Sequence, residues 1–236
     1  MLTEILADGA AKQGVCLPAG ALEQFETYDA MLEETNQVMN LTAITGPENV
    51  ARLHFLDSLA LAAQIRLDGA RMIDVGSGAG FPGVPLKIAV PSLRLTILDA
   101  QKKRVEFVSR LCMALRLESV ECLHGRAEET SFSHGYRDGY DFAVSRAVAN
   151  LSMLCELCLP FVKPGGSFLA MKGTDSDEEL QAAENAMKTL GACLEGTADY
   201  QIPGTDIVHR IVTVKKTAPT PKGYPRRFAK IQKEPL

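Results

Sequence analysis

The sequence lacks the long hydrophobic runs that would carry a protein into or across a membrane. None of its 236 residues belongs to a stretch of roughly 20 apolar residues, the length that a membrane-spanning helix needs. The N-terminus carries Glu4 and Asp8 where a signal peptide would be apolar, so we expect no such signal. With 46% hydrophobic and 23% charged residues, the composition is that of a soluble globular protein. We expect it in the cytoplasm, with no membrane partner.

The cysteines and histidines lack the grouping that metal and nucleophile sites require. Cys155 and Cys158 have C-x-x-C spacing, but they fall in an apolar stretch with no second pair and no neighbouring histidine. A zinc site needs more ligands, so we expect core packing and no metal. A G-x-S-x-G elbow is absent, and His54, Asp57 and Ser58 fall within one helical turn, which does not suit a serine hydrolase relay. We expect them to form a polar cluster that joins N-terminal helices to the rest of the protein.

Glycine is concentrated in a turn after a short apolar run. Residues 71–83 read Arg-Met-Ile-Asp-Val-Gly-Ser-Gly-Ala-Gly-Phe-Pro-Gly. This pattern predicts a strand, a turn in which Gly76, Gly78 and Gly80 allow close ligand approach, and a helix start with free N–H groups. The dinucleotide fingerprint would place its third glycine where Phe81 stands. The spacing resembles motif I of the Rossmann-like methyltransferases that use S-adenosylmethionine (SAM), with a nicotinamide-dependent oxidoreductase as the alternative.

The remaining pattern predicts an α/β fold with a helical N-terminal extension. Helical periodicity covers 2–13, 19–39 and 48–66, and strands alternate with helices after the glycine turn. The predicted strands after the first are 93–99, 120–123, 141–145, 167–171, 192–202 and 207–214, with a turn at 163–166 and a Ser176/Glu179 capping box.

We therefore expect the mostly parallel, seven-stranded sheet of SAM-dependent methyltransferases, with helices on both faces. The predicted division is a helical extension at 1–66, a SAM-binding core at 67–216 and a basic tail at 217–236. Residues 215–236 contain seven Lys or Arg and one acidic residue, although the whole chain has a net charge of -4. An acidic body with a basic tail indicates either an anionic partner such as nucleic acid or a solvated terminus.

Charged residues follow the predicted strands at the edge where ligands bind. Asp99 comes 19 residues after Gly80, where a carboxylate can either accept hydrogen bonds from both ribose hydroxyls of a nucleoside or cap the following helix. Ala127 and Glu128 follow the third strand, where Glu128 would lie either near an adenine edge or in solvent. Arg146 and Lys172 end later strands, and an arginine there can hold a carboxylate, a phosphate or a base edge. The chain lacks the Asn/Asp-Pro-Pro-Tyr sequence of enzymes that methylate exocyclic amines, which argues against such a target.

Together these residues resemble the bacterial 16S rRNA methyltransferase G family, also called glucose-inhibited division protein B. The resemblance runs in order through nearly the whole chain. It rests on Asn40-Leu-Thr42, His54-x-x-Asp57-Ser58, residues 73–83, Leu98-Asp99 with Lys103-Arg104, Arg126-Ala-Glu128, Ser145-Arg-Ala147, Lys172-Gly173 and Tyr224-Pro-Arg-Arg227 before Pro235-Leu236. The family often has a tryptophan where this chain has Thr35.

The resemblance implies methylation of guanine N7 in the decoding-region loop of 16S rRNA, with SAM as donor and the rRNA or an assembling small subunit as partner. It implies SAM contacts at Gly76, Phe81, Asp99, Ala127, Glu128 and Arg146. Guanine N7 has a lone pair and no proton, so we expect no acid or base residue. Arg126, Arg146 and Lys172 are candidates for positioning the substrate, and we expect a monomer. A small-molecule methyltransferase and a non-enzymatic ribosome-assembly factor are the alternatives.

Overall fold

The computed structural model describes residues 1–146 and 149–236. Within these residues one sheet contains seven strands: β1 (Arg71–Val75), β2 (Arg94–Asp99), β3 (Val120–His124), β4 (Tyr140–Arg146), β5 (Val162–Gly173), β6 (Ala192–Gln201) and β7 (Val208–Lys216). Their order is β3-β2-β1-β4-β5-β7-β6. Strands β1 to β5 are parallel, and β7 is antiparallel to both of its neighbours. The predicted mostly parallel sheet and its fold class are confirmed.

Helices cover the sheet and form the N-terminal extension. They are α1 (Leu2–Lys12), α2 (Ala21–Met39), α3 (Pro47–Val50), α4 (Asp57–Gln64), α5 (Gly83–Ala89), α6 (Lys102–Ala114), α7 (Ala127–Thr130), α8 (Leu151–Cys158), α9 (Asp177–Ala182), α10 (Glu184–Thr189) and α11 (Phe228–Lys233). A π-helical turn, Ala51–Leu56, joins α3 to α4, and a 3₁₀ turn, Leu159–Phe161, follows α8. In the described part of the chain no helix is both long and apolar enough to cross a membrane.

The N-terminal extension packs directly against the glycine turn. Tyr28 of α2 is fully buried, its hydroxyl donates to the Ala79 carbonyl at 2.6 Å, and its ring stacks on Phe81 at 5.2 Å between centroids. Phe25 and Phe55 complete this aromatic contact and are also fully buried. Apolar residues at helical spacing in α2 therefore do more than stabilise the extension, because they fix the turn that precedes α5.

Two local predictions are wrong. The predicted turn at 163–166 is part of β5, which pairs with β4 through a register shift between Tyr140 and Phe142. The predicted capping box is not formed, because Ser176 Oγ has no hydrogen-bond partner. Glu179 instead accepts from the Leu151 N–H at 3.0 Å and contacts the Lys172 ammonium at 2.7 Å. The Glu179 carboxylate thus contacts residues of other elements instead of capping its own helix.

The basic C-terminal segment is held against the body of the protein. Arg226 forms a two-pronged ion pair with the fully buried Glu156 of α8, with Nη2 to Oε2 at 2.6 Å. Ile231 of α11 is fully buried. The Lys216 ammonium is buried and bonded to Asp138 and to the carbonyls of Leu159 and Val162. At least two of the seven cations at the C-terminus therefore have internal partners.

Candidate cofactor pocket and active site

A cavity of about 520 Å³ lies at the carboxyl ends of β1, β2, β3 and β4. The strand order reverses between β1 and β4, with β2 and β3 on one side and β5 on the other. In open α/β sheets, ligands bind in the crevice outside the carboxyl ends of the strands at such a reversal. The cavity is lined by the glycine turn, the ends of these strands, Leu154 and Leu157 of α8, and three residues of the extension, Leu41, Thr42 and His54.

The glycine turn forms one wall of this pocket through its backbone. Gly76, Gly78 and Gly80 have φ values of 75°, 60° and 103°, which side chains of L-residues rarely allow. Gly76 and Gly78 line the pocket, and an added Cβ at Gly78 would meet nothing within 4 Å. Gly80 lies behind the turn, where a Cβ would come within 2.8 Å of the Tyr28 hydroxyl. Gly76 and Gly78 thus leave space for a ligand in the pocket. The absence of a side chain at Gly80 instead lets Tyr28 of the extension pack against the turn.

Asp99 at the end of β2 is oriented by this turn. Its side chain is buried, Oδ2 accepts from the Gly78 N–H at 3.0 Å and Oδ1 accepts from the Gln101 N–H at 2.8 Å. An ionised carboxylate has about four lone-pair sites, so these two bonds leave each oxygen able to accept from a ligand hydroxyl. The arrangement fits the ribose of a nucleoside cofactor such as SAM.

The wall at the end of β3 combines residues that the sequence predicted with one that it did not. Ala127 and Glu128, which the sequence predicts near an adenine, both line the pocket and are buried. Arg126 also lines it, but its side chain is 54% exposed, with Nη1 at 3.5 Å from Glu128 Oε1. The Arg126 guanidinium lies over the ring of Phe228, 5.7 Å from its centroid. Phe228 belongs to α11 and lines the same pocket.

Arg146 at the end of β4 faces the pocket from a polar network. Its Nη1 donates to Asp57 Oδ2 at 2.8 Å and to the Leu53 carbonyl at 3.3 Å, and its Nη2 donates to His54 Nδ1 at 3.0 Å. The guanidinium also lies 5.0 Å from the ring centroid of Phe81. These contacts hold the planar group in a fixed orientation and neutralise its charge. Ala147, which the sequence resemblance includes, lies outside the described residues.

His54 is a neutral member of this network. Arginine can only donate, so the Arg146 contact makes Nδ1 the acceptor and leaves the proton on Nε2, which donates to Thr42 Oγ1 at 2.8 Å. Burial, with a further contribution from Arg146, lowers the pKa of His54 to about 3. The imidazole stacks on Phe81 with 4.2 Å between centroids. It therefore forms an uncharged, flat wall of the pocket.

Asp57 connects the extension to both antiparallel strands. Its Oδ1 accepts from the Tyr200 hydroxyl and from His209 Nδ1, each at 2.7 Å. Burial alone would raise the pKa of Asp57, but the hydrogen bond from His209 and the charge of Arg146 keep it below its usual value. The same contact raises the pKa of His209. Asp57 is thus an ionised counter-charge for Arg146.

The serine of the predicted polar cluster takes no part in a relay. Ser58 Oγ donates to the backbone carbonyl of His54 at 2.6 Å and is fully buried. The hydroxyl therefore bonds to the preceding helical turn, and the imidazole is bonded to Thr42 and Arg146 instead. The interpretation of the cluster as a joint between extension and sheet agrees with this geometry.

Lys172 and the cysteine pair do not line the pocket. Lys172, a predicted substrate contact, donates to the Ala149 carbonyl at 2.8 Å and pairs with Glu179 at 2.7 Å, outside the residues that line the cavity. Its role remains a prediction. Cys155 and Cys158 are fully buried in α8, and burial raises the pKa of Cys155 to about 12. Among the described residues no cluster of three metal-ligating side chains occurs.

Solved structures with similar folds include methyltransferases. TYW2 of M. jannaschii in complex with AdoMet has a TM-score of 0.54 at 11% identity, over 68% of this chain and 74% of that one. The mitomycin 7-O-methyltransferase MmcR has a TM-score of 0.56 at 17% identity, over 83% and 66% of the two chains. At such identities the likeness concerns the fold alone.

Sequence relatives are much closer and span the whole chain. The ribosomal RNA small subunit methyltransferase G of Alkaliphilus oremlandii is 46% identical over 237 residues, with 100% of this chain and 99% of the relative covered. The protein of that name from Bacillus licheniformis is 43% identical over 239 residues, with 100% and 99% covered. The family model described as rRNA small subunit methyltransferase G matches residues 21–203. The chain therefore belongs to the rRNA small subunit methyltransferase G (GidB) family.

Proposed function

We propose that this protein transfers a methyl group from SAM to N7 of a guanine in the decoding-region loop of 16S rRNA. The observation that carries the proposal is the pocket in which buried Asp99 is hydrogen-bonded to the Gly78 N–H at 3.0 Å, in a chain of this family. This pairing of carboxylate and glycine turn suits a ribose, and the family supplies the substrate class. The target base and atom come from the family resemblance.

We assign the cofactor to the residues that surround Asp99. The ribose would bond to Asp99, the adenine would lie near Ala127 and Glu128, and the methionine part would extend toward Arg146. The complete proposed set is Gly76, Gly78, Gly80, Phe81, Asp99, Ala127, Glu128 and Arg146, in which Gly80 acts through the shape of the turn. The cofactor supplies an electrophilic methyl group on a sulfonium centre when it is bound.

The protein's contribution to the reaction is alignment and a suitable electrostatic environment. Guanine N7 has no proton to remove, so no side chain has to act as an acid or base, and orientation of the two reactants can supply much of the acceleration. Positive charge moves from sulfur to the purine ring in this transfer. A neutral His54 adds no repulsion to that movement, and the carboxylate of Asp57 offsets the charge of Arg146. Arg126, Arg146 and Lys172 are the proposed substrate-positioning residues.

The proposed substrate also determines the remaining assignments. An rRNA or an assembling small subunit is a cytoplasmic partner, and we propose that the enzyme acts there as a monomer. A SAM-dependent methyltransferase of a small molecule is the second candidate, and a ribosome-assembly factor without chemistry is the third. Affinity for rRNA that falls steeply with salt would argue against a small-molecule substrate.

The first test is titration calorimetry with SAM and, separately, with NAD, followed by transfer of a labelled methyl group to unmethylated 16S rRNA or small subunits. We expect binding of SAM alone and one labelled guanine. Asp99→Ala should weaken SAM binding by about tenfold or more, because hydrogen bonds to a charged group are worth roughly 1.5–3 kcal/mol, whereas Asp68→Ala on an exposed carboxylate is the matched control. Binding of NAD alone, or SAM affinity unchanged in Asp99→Ala, would contradict the assignment.

A further inference from the structure

A groove of about 820 Å³ lies beside the cofactor pocket, between the end of α2, the first turns of α6 and β3. Its walls include the permanent cations Lys102, Lys103 and Arg110, together with His124. All four of these side chains are exposed. Glu106 is the one carboxylate in the groove wall, and it lies 3.7 Å from the Lys102 ammonium. The groove, named the α6 groove below, is therefore a basic surface on a body that is acidic outside its C-terminal segment.

The α6 groove meets the pocket at three places along the chain. The groove is lined by Met39, Lys102 and His124. The pocket is lined by residues close to them in sequence, namely Leu41, Gln101 and Gly125. The boundary therefore runs from the ribose side of the pocket, near Asp99, to the side where Thr42 and His54 lie. A chain molecule seated in the groove would therefore lie next to residues of the pocket at all three places.

Two of the three Lys and Arg side chains in the groove have no carboxylate partner among the described residues. Among residues 1–146 and 149–236, no carboxylate lies within ion-pair distance of Lys103 or Arg110, in contrast with Lys102. The first turn of α6 contains no acidic residue and carries Lys102, Lys103 and Arg104. Cations near a helix N-terminus carry a cost from the helix dipole. Glu106 and Asp99 offset this cost for Lys102 and Arg104, but no described carboxylate offsets it for Lys103. A bound anion would offset that cost.

We infer that the α6 groove binds the phosphodiester backbone of the rRNA segment next to the target base. The inference rests on the proposed rRNA substrate and adds the surface that holds it. Proteins recognise RNA loops by contacts to backbone phosphates and to unstacked bases, and phosphate contacts fix register without reading sequence. Val38, which is 81% exposed at the edge of the groove, offers an apolar contact to such a base. The groove thereby holds the strand while the pocket receives the guanine.

The test compares two charge-reversal pairs in the full-length protein. Lys103→Glu with Arg110→Glu changes the groove, and Arg66→Glu with Lys188→Glu makes the same charge change on exposed residues outside both cavities. For each protein, methyl transfer to protein-free 16S rRNA and to unmethylated small subunits is measured at several salt concentrations, together with SAM affinity. The groove pair should raise the KM for rRNA about tenfold and reduce the slope of log affinity against log salt by about 1.4, or 0.7 for each lost phosphate contact.

The outcomes separate this inference from the proposed function. A wild-type protein that neither binds nor methylates rRNA would refute the function. If the wild type is active and the groove pair behaves like the control pair in KM and salt slope, the groove does not bind RNA. A defect limited to assembled subunits would assign the groove to a ribosomal protein and overturn the inference. Should charge reversal disturb SAM binding, Lys103→Gln with Arg110→Gln must still reduce the salt slope with SAM affinity unchanged, or the inference fails.

Discussion

The buried imidazole of His54 should make stability depend on pH in a way that one substitution removes. Its folded pKa is about 3 against 6.5 for the free side chain, so the unfolded state binds a proton between these values and the folded state does not. Stability from this residue is therefore complete above about pH 6.5 and is lost as the pH falls. Linkage between these two pKa values gives a loss of about 2 kcal/mol at pH 5 relative to pH 8.

The matched variant is His54→Gln, whose amide can accept from Arg146 and donate to Thr42 without titrating. Urea unfolding of both proteins at pH 8, 6.5 and 5 measures the difference directly. His209 works in the opposite direction, because its raised pKa gives stability below its usual pKa that is lost at higher pH. Because His209 is present in both proteins, its contribution cancels in the difference between them. If the difference in unfolding free energy between wild type and His54→Gln stays constant from pH 8 to pH 5, His54 is not held neutral in the folded protein.

Three other substitutions test separate parts of the structure. Phe228→Ala should raise the SAM dissociation constant about three- to tenfold in calorimetry, with Phe228→Tyr near wild type; equal affinities would remove α11 from the site. Gly83→Ala should lower the free energy of unfolding in urea by about 1–3 kcal/mol, because the added Cβ would lie 2.8 Å from the buried Asp74 Oδ2. Gly196→Ala is the control: its Cβ would meet no atom within 4 Å, so stability should change by less than about 0.5 kcal/mol. Asp57→Ala should cost about 3–5 kcal/mol by leaving Arg146 without its counter-charge, and a loss below about 1 kcal/mol would contradict that pairing.

The parts of the site that follow from local sequence were predictable. The strand that ends in Asp99, the glycine turn before it and each of the alternating strands and helices are marked by short, local sequence patterns. Their positions in the structure follow the general rule that ligands bind at the carboxyl ends of parallel strands. Gly76, Gly78, Asp99 and Glu128 accordingly line one cavity. The helices of the extension also follow from their apolar periodicity.

The contacts that complete the site join residues that are distant in sequence. Asp57 meets Tyr200 and His209 across separations of 143 and 152 residues, and nothing in the periodicity of those strands marks the pairing. Phe228 reaches the pocket because Arg226 is anchored to Glu156, 70 residues earlier. The failed capping box has the same cause, since Glu179 contacts Lys172 and α8 instead of its own helix start. In each case, hydrogen bonds and ion pairs between residues distant in sequence determine where the side chain lies.

The polar network around Arg146 indicates that the predicted helical extension is a structural part of the candidate site. Arg146 ends a strand of the core, but its counter-charge Asp57 and its acceptor His54 both belong to the predicted extension, 1–66. Removing the carboxylate partner of a guanidinium that is only 14% exposed is strongly destabilising. Phe81 of the glycine turn likewise stacks on His54 and Tyr28, both supplied by the extension. The division of the chain at residues 66 and 216 therefore remains a prediction. The pocket itself is lined by side chains from all three segments and needs each of them for its shape.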